Sequence, residues 1–151
     1  MDADPVRPIE DWPLPALLRG ARSTYASAIR GALSDVGYDD LPPNGPYVIG
    51  AIARTAAPLG SVIRQLGVSK QAAGQLVDTL VVRGYLERSV DPTDRRRLVV
   101  RLTPRGEEAA CAVRTAAEAL EAEMVGEVGL EDVRTTRRVL AALVRRGSAD
   151  A

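Results

Sequence analysis

The chain has 151 residues, with no histidine, no phenylalanine and a single cysteine, and its aromatics are four tyrosines and one tryptophan. Each shortage excludes something. Without histidine the commonest metal ligand and the usual general base are missing, which excludes most zinc sites, most hydrolase triads and pH sensing through imidazole. Cys111 cannot close an internal disulfide alone. No stretch approaches eighteen consecutive apolar positions, so a membrane span is disfavoured. The opening Met1-Asp2-Ala3-Asp4-Pro5 puts acid where a secretory signal would be basic, so export is not indicated and a cytoplasmic location is expected. There is no phosphate loop, no nucleophile elbow and no pair of acids framed by turn glycines. Neither an enzyme nor a cofactor or metal is expected. What remains is 46% apolar residues, enough to furnish the core of one domain, with 26% charged residues around it.

The net charge is also zero, with 20 basic and 20 acidic residues, and taken whole this counts against a strongly basic nucleic-acid binder. Taken by segment it does not. Residues 54 to 105 hold ten basic groups against four acids, a surplus of six, and the flanks on either side are each acidic by three. Nineteen of the twenty basic residues are arginine, the side chain suited to bidentate phosphate and base contacts. A basic middle joined to acidic flanks suggests two lobes with different roles.

Residues 1–13 carry three prolines without periodicity and read as an irregular arm, with Asp11 a candidate helix cap. From Leu14 the positions Leu14, Leu18, Ala21, Tyr25, Ala28 and Ala32 alternate at spacings of three and four, the seam of a long helix that packs on another helix. A turn-rich run from Gly37 to Pro46 ends it. A short helix over Tyr47 to Ala53 follows, then two closely spaced helices, Leu59 to Leu66 and Lys70 to Arg83, separated by Gly67-Val68-Ser69. Ser69 suits the cap of the second, whose Ala72, Ala73, Leu76, Val77 and Leu80 are expected inside, with Lys70, Gln71, Gly74, Gln75 and Asp78 outside. Two strand-like stretches, Leu86 to Val90 and Leu98 to Leu102, flank a turn that ends in Asp94-Arg95-Arg96-Arg97. Thr103-Pro104 then starts a long helix with Ala109, Val113, Ala116, Leu120 and Met124 in its seam, interrupted at Gly126 and Gly129. A last helix runs from Leu130 to Arg146, with Gly147 as its stop.

Helix, three-residue turn, helix and basic hairpin is the order of a winged helix-turn-helix, whose second helix enters the DNA major groove. Ser69, Lys70, Gln71 and Gln75 can hydrogen-bond base edges there, and Gly74 would allow close approach. Arginines at a hairpin tip suit the negative potential of a narrow minor groove. The expected fold is therefore mainly α with a small β-hairpin wing. Residues 14–45 form a dimerisation helix and turn, 46–105 the winged helix-turn-helix and 106–151 the C-terminal dimerisation helices.

The stretch from Leu66-Gly67-Val68-Ser69-Lys70-Gln71-Ala72-Ala73 to Arg83-Gly84-Tyr85-Leu86-Glu87-Arg88 resembles the recognition helix and first wing strand of the MarR family of transcriptional regulators. Asp91-Pro92-Thr93-Asp94-Arg95-Arg96 is similar to that family's Asp-x-Arg wing, and Leu102-Thr103-Pro104-Arg105-Gly106 to its Leu-Thr-x-x-Gly helix start. The resemblance is strong from about Leu59 to Glu108; outside it only helix order and length agree. It implies a homodimer whose winged domains read a palindrome in double-stranded DNA, often as a repressor released by a small-molecule inducer. By that resemblance Asp94 would orient Arg96, and Arg96, between Arg95 and Arg97, would reach the minor groove.

The helix seams independently favour two chains, because a lone chain would expose apolar stripes; Leu14, Leu18, Tyr25, Leu120, Leu140 and Leu143 are the candidate dimer residues. Trp12, Tyr25 and Tyr47 are candidates for an inducer pocket, and equally for packing. Cys111 shares a helix face with Thr115, Glu118 and Ala122 and reads as a structural thiol, with no second cysteine to resolve a sulfenic acid. The alternative function is a winged-helix dimer that serves as a protein-binding adaptor or binds DNA without sequence preference.

Overall fold

Proline lacks a backbone N–H and has φ preset for a helix, so it suits a helix's first turn. The computed structural model, which describes residues 8–54, 69–90 and 98–149, starts two long helices this way. Helix α1 (Leu14–Asp35) follows Pro13 and has Pro15 in its first turn. Asp11 is not its cap; it closes a 3₁₀ turn, Ile9–Asp11, and α1 starts after it with no side-chain cap. Helix α2 (Gly45–Arg54) begins two residues earlier than the pattern indicated, because Pro46 is accommodated in its first turn. Helix α3 (Lys70–Val82) leads into the antiparallel pair β1 (Leu86–Val90) and β2 (Leu98–Leu102), in register from Leu86 opposite Leu102 to Val90 opposite Leu98. Helix α4 (Pro104–Val128) and helix α5 (Leu130–Ala149) complete the chain.

Of the three glycine signals expected in the last two helices, the interruption at Gly126 and the stop at Gly147 fail. Gly126 lies inside α4 and Gly147 inside α5, each in helical backbone. A glycine costs a helix only about 1 kcal/mol, which flanking turns of good helix formers override. The break falls at Gly129, whose φ of 88° lies in the left-handed region that a side chain resists.

The core lies where α4 crosses α1 and α2 and where α3 meets the hairpin. It contains Leu33, Val48, Ile49, Val77, Leu80, Tyr85, Leu86, Ala109, Ala110 and Val113. The rest of α1 and most of α5 contribute little to it. The α1 seam from Leu14 to Ala32 contains no buried residue, the buried edge of that helix being Leu33. Among the described side chains of α5 only Val133 is buried, whereas Leu130, Val139, Leu143 and Val144 are at least half exposed. Among the described residues no helix is long and apolar enough to cross a membrane.

Candidate nucleic-acid interface

The α3 start is built as its sequence requires. The Ser69 hydroxyl accepts a hydrogen bond from the Ala72 amide at 3.2 Å, and the Ser69 carbonyl accepts from Ala73 at 2.9 Å. This satisfies one of the amides a helix start leaves without a partner and fixes the first turn. Lys70, Gln71, Gly74 and Gln75 are all exposed. Ala72 is exposed as well, contrary to expectation: Ala73, Val77 and Leu80 define the buried line, and Ala72 stands about 100° around the helix from Ala73. A Cβ on Gly74 would meet no atom within 4 Å, so the described residues do not themselves demand glycine there.

Two contacts set this helix against the hairpin. Asp78, on the outer face of α3, pairs with Arg88 of β1. Both side chains are about half exposed or more, so the pair orients more than it stabilises. The root of the hairpin is held harder. Thr103 donates from its hydroxyl to the Gly84 carbonyl at 2.5 Å, donates from its amide to the Tyr85 carbonyl at 3.1 Å and accepts from the Gly106 amide at 3.1 Å. Gly106 lies so close to the Tyr85 carbonyl that a Cβ would sit 2.1 Å from that oxygen. The Leu-Thr-x-x-Gly motif is thus a weld between hairpin and helix: threonine caps α4 and glycine lets the backbones touch.

Beside the weld is a cluster the sequence reading missed. The Tyr85 ring is fully buried and its hydroxyl donates to Asp40. Arg105 donates to Asp40 Oδ1 at 2.9 Å and to the Tyr85 hydroxyl at 3.0 Å, and its guanidinium carbon lies 4.6 Å from the Tyr85 ring centre and 5.1 Å from that of Tyr38. Tyr38 donates in turn to Glu108. The hydrogen bond from Tyr85, assisted by the Arg105 charge against the cost of burial, holds the Asp40 carboxyl below its ordinary value. Burial first, then the Asp40 carboxylate, pushes the Tyr85 phenol up, and the Glu108 hydrogen bond raises that of Tyr38. In the sequence Asp39 and Asp40 lie within the turn-rich run from Gly37 to Pro46, and Arg105 is an unspecified position of the Leu-Thr-x-x-Gly motif. With 45 and 65 residues separating Asp40 from its partners, no local spacing could reveal them.

The remaining candidates divide. Asp94, Arg95, Arg96 and Arg97 of the wing tip, and the helix expected over Leu59 to Leu66, lie outside the described residues. Trp12 and Tyr47 are 45% and 43% exposed, and half-buried Tyr25 points its hydroxyl at the Met124 sulfur, 3.7 Å away. An open depression between α4 and α5, lined by Glu118, Glu121, Ala122, Val125 and Arg137, includes none of the three. Leu14 and Leu143 are half exposed, and Leu18, Leu120 and Leu140 half-buried. Cys111 is exposed, with an Arg114 amino group 3.5 Å from its sulfur.

Comparison with known proteins gives this geometry a relation. Residues 39–97 match the sequence model of the MarR family. Among solved structures the chain is similar to a probable transcriptional regulator from Pseudomonas aeruginosa, at 27% identity and a TM-score of 0.62 over 90% of this chain and 99% of that one. It shares its fold with apo MarR from E. coli, at 22% identity and a TM-score of 0.61 over 87% and 97%. The same holds for the transcriptional repressor CouR bound to a 23-mer DNA duplex, at 20% identity and a TM-score of 0.66 over 87% and 92%. No curated protein matches.

Proposed function

We propose that this chain, a winged-helix protein of the MarR family, is a transcriptional regulator that binds a palindromic operator as a homodimer and represses until a small ligand displaces it. The observation that carries the reading is the capped, exposed start of α3, held beside the hairpin in a fold that CouR shares and uses on DNA. Ser69, Lys70, Gln71 and Gln75 face the bases, with Gly74 allowing the backbone close to the groove. Asp94 to Arg97 serve the neighbouring minor groove. The half-exposed apolar residues of α1 and α5 supply the dimer face through Leu14, Leu18, Tyr25, Leu120, Leu140 and Leu143. Two-fold symmetry then presents two α3 helices about 34 Å apart, one turn of DNA.

The test is selection of bound duplexes from a random library by the full chain. A palindromic product is expected; failure to enrich any sequence overturns sequence-specific reading. On the selected duplex, Lys70→Ala or Gln75→Ala should cost about 1–3 kcal/mol at one base position. Arg96→Ala should weaken binding to all sequences while the dimer stays intact. An affinity insensitive to salt would point away from DNA altogether, because phosphate contacts release counterions.

A further inference from the structure

One turn of α4 holds two tyrosines from separate parts of the chain. Arg105 and Glu108 stand three residues apart on the same helix face. Arg105 holds Tyr85, which leads into β1, and Glu108 holds Tyr38, which follows α1. The two rings meet edge to face, 5.9 Å apart at 84°. Asp40, on the connection to α2, closes the arrangement by accepting from both Arg105 and Tyr85.

Arg105 is the member common to all of it. Its Nη2 serves Asp40 and Tyr85, its guanidinium carbon lies over both rings, and its Nε is buried with no partner among the described residues. A guanidinium needed only for net charge would keep all its donors in water, since an unmet buried donor costs stability. Here one donor, Nε, gives up water while the side chain as a whole stays 41% exposed. The pairing with Asp40 also offsets the charge that a DNA phosphate would otherwise feel.

We propose that Arg105 is a positioning residue for DNA reading: by tying the hairpin root to the end of α1 it fixes the angle at which α3 meets the duplex, without touching DNA itself. The proposal rests on the DNA-binding reading above. Joints of this kind act by narrowing orientation, so their loss lowers affinity through misplacement of contacts that are all still present.

The experiment uses the full-length chain and its one native cysteine. Spin labels on Cys111 and on Gln75→Cys report the distance between α4 and α3, with no DNA present. A narrow distribution is expected for the parent, a broad one for Arg105→Gln and for Asp40→Asn, and partial recovery for Arg105→Lys, which keeps the charge but not the fork. Asp40 is exposed, so Asp40→Asn serves even if Arg105→Gln folds poorly. In unlabelled chains that retain Gln75, both variants should bind the selected duplex about five- to tenfold more weakly with the salt slope unchanged. Distances unchanged in both variants overturn the proposal. So does a salt slope reduced by about one in Arg105→Gln but not in Asp40→Asn, which would make Arg105 a phosphate contact. A parent that binds no duplex fails the DNA reading itself, and the label distances distinguish that failure from failure of the joint.

Discussion

The two halves of α4 have different surroundings. In its first ten residues Gly106, Ala109, Ala110 and Val113 are buried against α1, α2 and the hairpin root. Farther along, Ala116, Leu120 and Met124 repeat the same apolar spacing yet are only half-buried, and the neighbouring α5 buries Val133 alone. The pattern is constant; what changes is how much of the chain is available to cover it. The lobe around α3 and the hairpin closes within one chain, and the far lobe leaves its seams for something else to cover.

Four measurements would break or sharpen that contrast. The largest effect is expected from Leu143→Asp combined with Val139→Asp, both on exposed positions of α5. The double variant should keep its far-ultraviolet dichroism, sediment as a single chain and lose about a hundredfold or more in DNA affinity, because the two half-sites no longer bind together. If it still sediments as two chains, the dimer face lies elsewhere. Next comes Leu80→Ala, at a fully buried site of the lobe around α3 and the hairpin, which should lower stability by about 2–5 kcal/mol in denaturant titration. A loss below about 1 kcal/mol would mean that this lobe packs loosely too.

A smaller loss, about 1–3 kcal/mol, is expected from Gly106→Ala, since the new Cβ must push α4 away from the Tyr85 carbonyl. Hydrogen exchange should quicken at Thr103 and Gly106 first; uniform quickening would argue against a local weld. The smallest effect concerns pH. Asp40 titrates below its ordinary 3.8, so its contribution is full above that value and fades as pH falls through the lower folded one. Tyr38 and Tyr85 titrate above their ordinary 10.0, so theirs is full below that value and fades as pH rises through the higher folded one. The stability gap between wild type and Asp40→Asn should therefore stay level from about pH 5 to 9, and a gap that closes near neutrality would show the cluster to be miswired.

Much of this architecture is written locally. Ser69 and Thr103 announce the caps that the structure gives them, and the strand bounds follow from flanking turn residues. Glycine was harder to read. Gly126, Gly129 and Gly147 look alike in sequence, but of the three only Gly129 has left-handed backbone, and α4 stops there. The Gly106 motif was visible without its reason, the carbonyl of Tyr85 brought close from far back in the chain. The Arg105 cluster was invisible for the same cause: its members come from three segments, and each looked like ordinary turn or surface chemistry.

Helix α4 runs unbroken for 25 residues from the hairpin root to the turn at Gly129. At 1.5 Å per residue it is a beam about 37 Å long. A tilt of about 5° at its distal end would carry the hairpin root sideways by roughly 3 Å, the scale of one base-pair step. On the function proposed above, a ligand lodged far from the DNA would need no relay of shifting side chains to spoil the fit; leaning on the end of the beam would suffice.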